Sequence, residues 1–312
     1  MSLLLDLQDK LRDTGALIAQ HEKAMATSQS PSVAASLRSL QKRNRRLEAE
    51  FTEAAESAGV DVCSYRLFAD NEKKTLSAVS IFSAVEAFQN AFSVMFDAIR
   101  KGPKSKAALT PEIKQETEFQ FGYAFSGSVG LVLTMTNKQF LVETALDQTM
   151  EAMVDMARSA STEDVLQKSR SLGAAVVKAM HGWARNHVNS GLGVDMKWIR
   201  GPIQKTRLIL ELSQLKALTE SLAEATEDVT DTIKVIGRLV GFETESQRRF
   251  HFRSASGDDI KGSYSALAIS DQNPATAPAD YEATFDRKFK KVMATDEEIA
   301  PIYYLVKLTP LH

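Results

Sequence analysis

Residues able to do chemistry fall in three places in this chain. In the first, Arg249, His251 and Arg253 alternate with Phe250 and Phe252, and a second basic run, Arg287, Lys288, Lys290 and Lys291, follows. On a strand, successive side chains point to opposite faces, so the cations would share one face and the phenylalanines the other. Basic and aromatic groups interleaved this way suit a groove for single-stranded nucleic acid. Two points weigh against it. The stretch from Val229 to His312 holds 11 Lys/Arg against 12 Asp/Glu, and Phe250 and Phe252 are needed for a core.

The second place is Lys42, Arg43, Arg45 and Arg46. Four cations in five residues read either as a contact for nucleic acid or an acidic surface, or as a solvated helix face balanced by Glu48, Glu50 and Glu53. The third is a scatter of nucleophile and ligand types. Cys63 has no histidine near it in sequence, so a thiol nucleophile lacks its base. His181 and His187 stand six apart, on opposite faces of a helix, whereas a metal pair needs three or four. Asp195 and Lys197 read as a surface pair. Ser126-Gly127-Ser128-Val129-Gly130 is glycine-rich, but no Lys-Ser/Thr pair follows, so it is read as a turn and not a phosphate loop. No catalytic set, metal site or cofactor is expected.

The elements that must position these residues begin with two helices. Leu4, Leu7, Leu11, Thr14, Ile18, His21 and Met25 mark an apolar stripe on the first. Val33, Leu37, Leu40, Asn44, Leu47, Phe51, Ala54 and Ala58 mark one on the second. The alternating steps of three and four keep each stripe on one face. The break at Ser30-Pro31 is short, with Ser30 as cap and Pro31 in the first turn, which favours an antiparallel, coiled-coil-like hairpin over residues 1–60. A hairpin this thin needs a surface to lie on. Leu4, Leu7, Leu11, Ile18, Leu37, Leu40, Asn44, Leu47 and Phe51 are therefore candidate oligomerisation residues, with Asn44 either a register-fixing polar group or a side chain that reaches water from a loosely packed stretch.

Residues 61–228 read as an α+β domain with an antiparallel or mixed sheet and long helices. The expected order is a strand at Val62–Phe68, a helix from about Glu72 to Lys101, and a hairpin. In the hairpin Phe119, Phe121, Tyr123 and Phe125 share one buried face, opposite Val129, Leu131, Leu133 and Met135. Asn137 is expected to cap a helix to about Ala160, with Leu141 among its inward residues. A single helix from Ser161 to about Val188 follows, then strands at Val194–Ile199 and Arg207–Glu211 around the turn Arg200-Gly201-Pro202, and a helix at Ser213–Glu224.

From Val229 to His312 the pattern is short strands with glycine bends, which suits a small closed β-barrel of the SH3 or OB kind. The hydrophobic fraction of 44% and charged fraction of 25% are those of a globular chain. The net charge of -2 argues against a wholly basic nucleic-acid coat. A lone cysteine, the absence of an eighteen-residue apolar run and an N-terminus without a basic leader point to a cytoplasmic protein.

Taken together, the residues suggest a non-enzymatic interaction, adaptor or regulatory protein. It would assemble with a protein partner or a second copy through residues 1–58. The competing reading is a nucleic-acid-binding accessory factor using the barrel's basic strands and Lys42–Arg46. A third is an enzyme whose site is assembled from scattered residues.

Overall fold

The computed structural model describes residues 2–27, 30–69, 77–125, 129–137, 144–200, 203–243, 248–270 and 272–311. The chain forms two compact units, Met1–Ala225 and Thr226–His312. It is a mixed α+β protein whose second unit is a closed five-stranded barrel.

Unit 1 opens with α1 (Ser2–Thr27) and α2 (Pro31–Ser57). The two lie side by side in opposite directions, so that Leu3, Leu4 and Leu7 meet Glu50, Ala54 and Ser57. Pro31 occupies the first turn of α2, but Ser30 makes no side-chain cap; its Oγ bonds Ser32 Oγ at 2.8 Å instead.

A five-stranded sheet follows, built from β1 (Val60–Phe68), β2 (Gln120–Phe125), β3 (Val129–Thr136), β4 (Gly193–Arg200) and β5 (Ile203–Leu210). Its order is β2-β3-β1-β4-β5, and every pairing is antiparallel. β1 carries side chains buried on both faces, which places it at the centre of three layers. Leu7, Leu11, Leu47, Phe51 and Ala55 of the helix pair bury against Val62, Val132 and Tyr123. On the other face lie α3 (Ala78–Lys101), α5 (Ala145–Ala157) and α7 (Ala174–Ser190), with α4 (Pro111–Glu116), α6 (Thr162–Leu172) and α8 (Leu212–Glu224) around them. There Phe88 and Phe92 of α3 form an aromatic layer with Tyr65, Phe119 and Trp198. By length and apolar content α3 could cross a membrane. Here it is a core helix, buried continuously from Ala91 to Ala98.

Four expectations need correction. The aromatic alternation in β2 is broken by a bulge between Phe121 and Tyr123, where Phe121 pairs with Leu133 but Tyr123 with Val132. The two rings therefore face opposite sides of the sheet. Tyr123 is buried under the helix pair, while Phe121 stays 64% exposed. Gly122 permits this, because a Cβ there would stand 2.9 Å from the Val132 carbonyl oxygen. The expected turn at Ser126-Gly127-Ser128 lies outside the described residues, as do Glu72, Leu141 and Gly201-Pro202.

Second, α5 is capped by Thr144, not Asn137. Thr144 Oγ1 accepts from the Asp147 amide and Asp147 accepts in return, a reciprocal capping box. Third, the single helix after Ser161 is two. Gly173, at φ +85°, separates α6 from α7, and a Cβ there would fall 2.4 Å from backbone atoms of Lys104. Fourth, Asp195 pairs with Arg207 across the strands and not with Lys197 (Nη2–Oδ2 2.9 Å).

In unit 2, β6 (Thr226–Phe242), β7 (Arg249–Ser254), β8 (Asp259–Tyr264), β9 (Ala279–Val292) and β10 (Glu298–Pro310) close in the order β10-β8-β7-β6-β9. All pairings are antiparallel except β8 with β10. The long β6 pairs with both β7 and β9, which lets one strand turn a barrel corner. Leu239, Phe250, Phe252, Phe285 and Leu305 fill the interior. Gly262 is required where β8 meets β10, since a Cβ would lie 2.0 Å from the Tyr303 carbonyl oxygen.

Candidate binding surfaces and buried polar clusters

The barrel alternation holds. Phe250 and Phe252 point inward, and Arg249, His251 and Arg253 point out. The register brings further residues to the same outer face. His251 stands opposite Lys261, and Arg249 opposite Ser263. Through the parallel pair, Ser263 neighbours Tyr304 of β10. Tyr304 is 42% and Ile302 68% exposed. Gly241, opposite His251 on β6, leaves open space where a side chain would stand. The result is an open cleft of about 850 Å³ whose polar lining is Arg249, His251, Lys261 and Ser263 with one acid, Glu243.

Not every cation there is available. Arg253 Nε and His251 Nε2 both reach Asp259 Oδ1, at 2.9 and 3.0 Å. Those two hydrogen bonds hold the Asp259 carboxyl down at about 2. Arg249 and Lys261 carry no ion pair among the described residues. The second basic strand lies elsewhere on the barrel, because β9 pairs with β6 and β10 but not with β7 or β8. Arg287 sits on the inward register of β9. It binds Asp231 (2.7 Å) and Glu298 (2.6 Å), and its guanidinium lies 4.4 Å from the Phe289 ring centroid. Arg287 thus closes off the barrel interior, whereas Lys288 faces out.

Of the basic run on α2, Arg46 pairs with Glu50 at 3.0 Å, while Lys42 and Arg43 carry no ion pair among the described residues. Asn44 is half-buried and donates to Glu48 at 2.7 Å, not to a second asparagine. Of the stripe residues, Leu7, Leu11, Leu47 and Phe51 are buried against the chain's own sheet, and Leu4 packs at the edge of that cluster. Ile18 is buried, and Leu37 and Leu40 are half-buried.

Two buried polar clusters in unit 1 escaped the sequence reading. In the first, Arg200 at the end of β4 bridges Asp61 (Nε–Oδ1 2.7 Å, Nη2–Oδ2 2.7 Å) and Asp147 (Nη1–Oδ2 2.8 Å). Asn137 Nδ2 donates to Asp61 at 2.8 Å, and Trp198 Nε1 to Asp147 at 3.4 Å. Burial drives the Asp147 carboxyl upward, but the Thr144 amide and the Arg200 guanidinium outweigh it, leaving a net downward shift. Every charge has partners, so the cluster clamps the end of β1 to β4 and the α5 N-terminus. A T-x-x-D cap and a charged residue closing an apolar strand were its only traces in sequence.

In the second, the Trp183 indole donates to Tyr65 Oη at 2.9 Å, Tyr65 Oη lies 2.7 Å from His187 Nε2, and His187 Nδ1 lies 3.1 Å from the Leu192 carbonyl. That carbonyl can only accept, so Nδ1 carries the proton and Tyr65 donates to Nε2. The chain of donors is complete with a neutral imidazole. Burial lowers the His187 pKa to about 4 and raises that of Tyr65. Neither ring reaches solvent, so the arrangement fixes core geometry and offers no substrate access. Cys63 is fully buried, and burial pushes its thiol pKa upward, away from the reactive thiolate. Among the described residues no three His, Cys, Asp or Glu side chains group as metal ligands.

Comparison of the chain with protein-family models, with curated proteins and with solved structures finds no match.

Proposed function

We propose that this is a non-enzymatic binding protein whose barrel takes single-stranded nucleic acid on the outer face of β7 and β8. The observation that carries the reading is the strand order. Numbered within the unit, the strands run 1-2-3-5-4 around a closed barrel, with strands 3 and 5 parallel. That order supports the OB over the SH3 reading, and the strand 2 and 3 face of OB barrels binds oligonucleotides or oligosaccharides. On this face Arg249, Lys261 and Ser263 offer donors to phosphate, and Tyr304 offers a ring for stacking. Burial of the Cys63 thiol and the pairing of Asp61 and Asp147 with Arg200 favour binding over catalysis.

The experiment is anisotropy of a labelled oligothymidylate with the full chain, titrated with salt. Binding should weaken as salt rises, by about 0.7 in log–log slope per phosphate contacted. Arg249→Glu with Lys261→Glu should weaken it about tenfold or more. A wild-type chain that does not bind at low salt sinks the proposal.

A second reading, assembly of copies through a coiled-coil-like helix pair, has one observation in its favour. α1 leaves Leu3, Leu5 and Leu17 exposed. Leu5→Lys with Leu17→Lys should then reduce the mass seen by light scattering, and an unchanged mass removes this reading.

A further inference from the structure

The face of the sheet beneath the helix pair is only half covered. Across one row the register runs Tyr123, Val132, Ser64, Lys197, Arg207, and across the next Gly130, Arg66, Asp195, Ile209. The helix pair covers the apolar end, at Tyr123, Val132 and Val62. It leaves the polar corner open: Arg66, Arg207 and Ile209 are exposed and Lys197 half-buried.

α2 forms the wall of that corner. Its Glu50, Glu53 and Ala54 face α1. Its opposite side meets β4, where the half-buried Glu48 carboxyl interacts with both Lys197 and Arg45. Arg38, Lys42 and Arg45 follow one another by four and three residues, so they form one stripe along that side. The helix thus turns acids toward α1 and bases toward the open sheet.

We infer that this corner, floored by β1, β4 and β5 and walled by α2, is a second nucleic-acid contact that grips the phosphate backbone. It gathers Arg38, Lys42, Arg45 and Lys197 around Glu48, beside the Arg207–Asp195 pair and the exposed but partnered Arg66, in a chain whose net charge is -2. Asp195 is already engaged by Arg207, at 3.1 and 2.9 Å, and Glu48 by Asn44. Trp198 points to the other face, into the core, and the ring on the corner's own face, Phe68, is half-buried over Gly193. Its chemistry is long cationic side chains over an open sheet, which suits backbone phosphates and is blind to base identity. The inference rests on the nucleic-acid reading of the chain but uses different residues.

The test is the same anisotropy titration on two sets of variants of the full chain, each checked for an unchanged melting curve. Arg38→Glu, Lys42→Glu and Arg45→Glu lie on an exposed helix face. Together they should weaken oligothymidylate binding about tenfold or more and lower the salt slope by about 2, the loss of three phosphate contacts. The barrel pair Arg249→Glu and Lys261→Glu is measured in parallel. If the α2 variant binds as wild type while the barrel variant loses affinity, the inference falls and the barrel proposal stands. If only the α2 variant loses affinity, the inference stands and the barrel proposal falls. Equal displacement of the oligonucleotide by polyglutamate of matched charge overturns the corner as a nucleic-acid surface, and no binding by the wild type overturns both.

Discussion

His187 shows how a single side chain ties this fold to pH. In the folded protein its imidazole is neutral, donating to Leu192 and accepting from Tyr65, with a pKa lowered by burial to about 4. In the unfolded chain it takes a proton near 6.5. Above that pH both states are neutral and the residue is silent. Below it the unfolded state binds a proton that the folded state refuses, so stability falls between about 6.5 and 4, by about 3 kcal/mol. His181, also lowered, adds a slope of the same sign. Denaturant midpoints measured across this window should therefore fall with pH, and His187→Gln should flatten that fall whatever it does to stability at neutral pH. An unchanged slope in the variant would refute the assignment. The Arg200 cluster behaves differently. Its guanidinium holds two buried carboxylates, so removing it alone would strand them at a cost of about 3–5 kcal/mol. Neither cluster was legible in the sequence, because each joins residues more than fifty positions apart.

At the scale of elements, the sequence located most helices and strands and failed where a single backbone position decided the outcome. The α3 stripe and the inward phenylalanines of β7 follow from periodicity, which a chain carries openly. The split between α6 and α7 does not, because the apolar stripe runs straight through Gly173. What breaks the helix there is the Lys104 backbone, which packs against Gly173 and accepts from the Ala175 amide at 3.0 Å. Gly173→Ala should cost about 2 kcal/mol or more, from a positive φ combined with the contact. A shift in urea midpoint worth less than about 0.5 kcal/mol would show that the corner can relax. The binding surfaces were partly legible for the same reason. Alternation placed Arg249, His251 and Arg253 on one face, but Lys261, Tyr304 and Lys197 join their surfaces only through strand register. Arg287, read as part of the basic face, is drawn inward by Asp231 and Glu298.

For the whole molecule, two units with separate cores should unfold as separate cooperative systems. Scanning calorimetry should resolve two transitions, and Gly173→Ala should move only one of them; a single transition that shifts as a whole would argue against independence. In a concentrated solution of such molecules the outermost strand of the five-stranded sheet matters most. β2 ends the sheet and carries Phe121 in the open, which ordinarily invites another molecule's strand to add alongside. The bulge at Gly122 sits in the middle of its six residues, so a visiting strand loses register after two or three of them. The same irregularity that sends Phe121 and Tyr123 to opposite faces therefore works as a guard against fibre-like growth, and a straightened β2 would open that edge to self-association before it cost the fold.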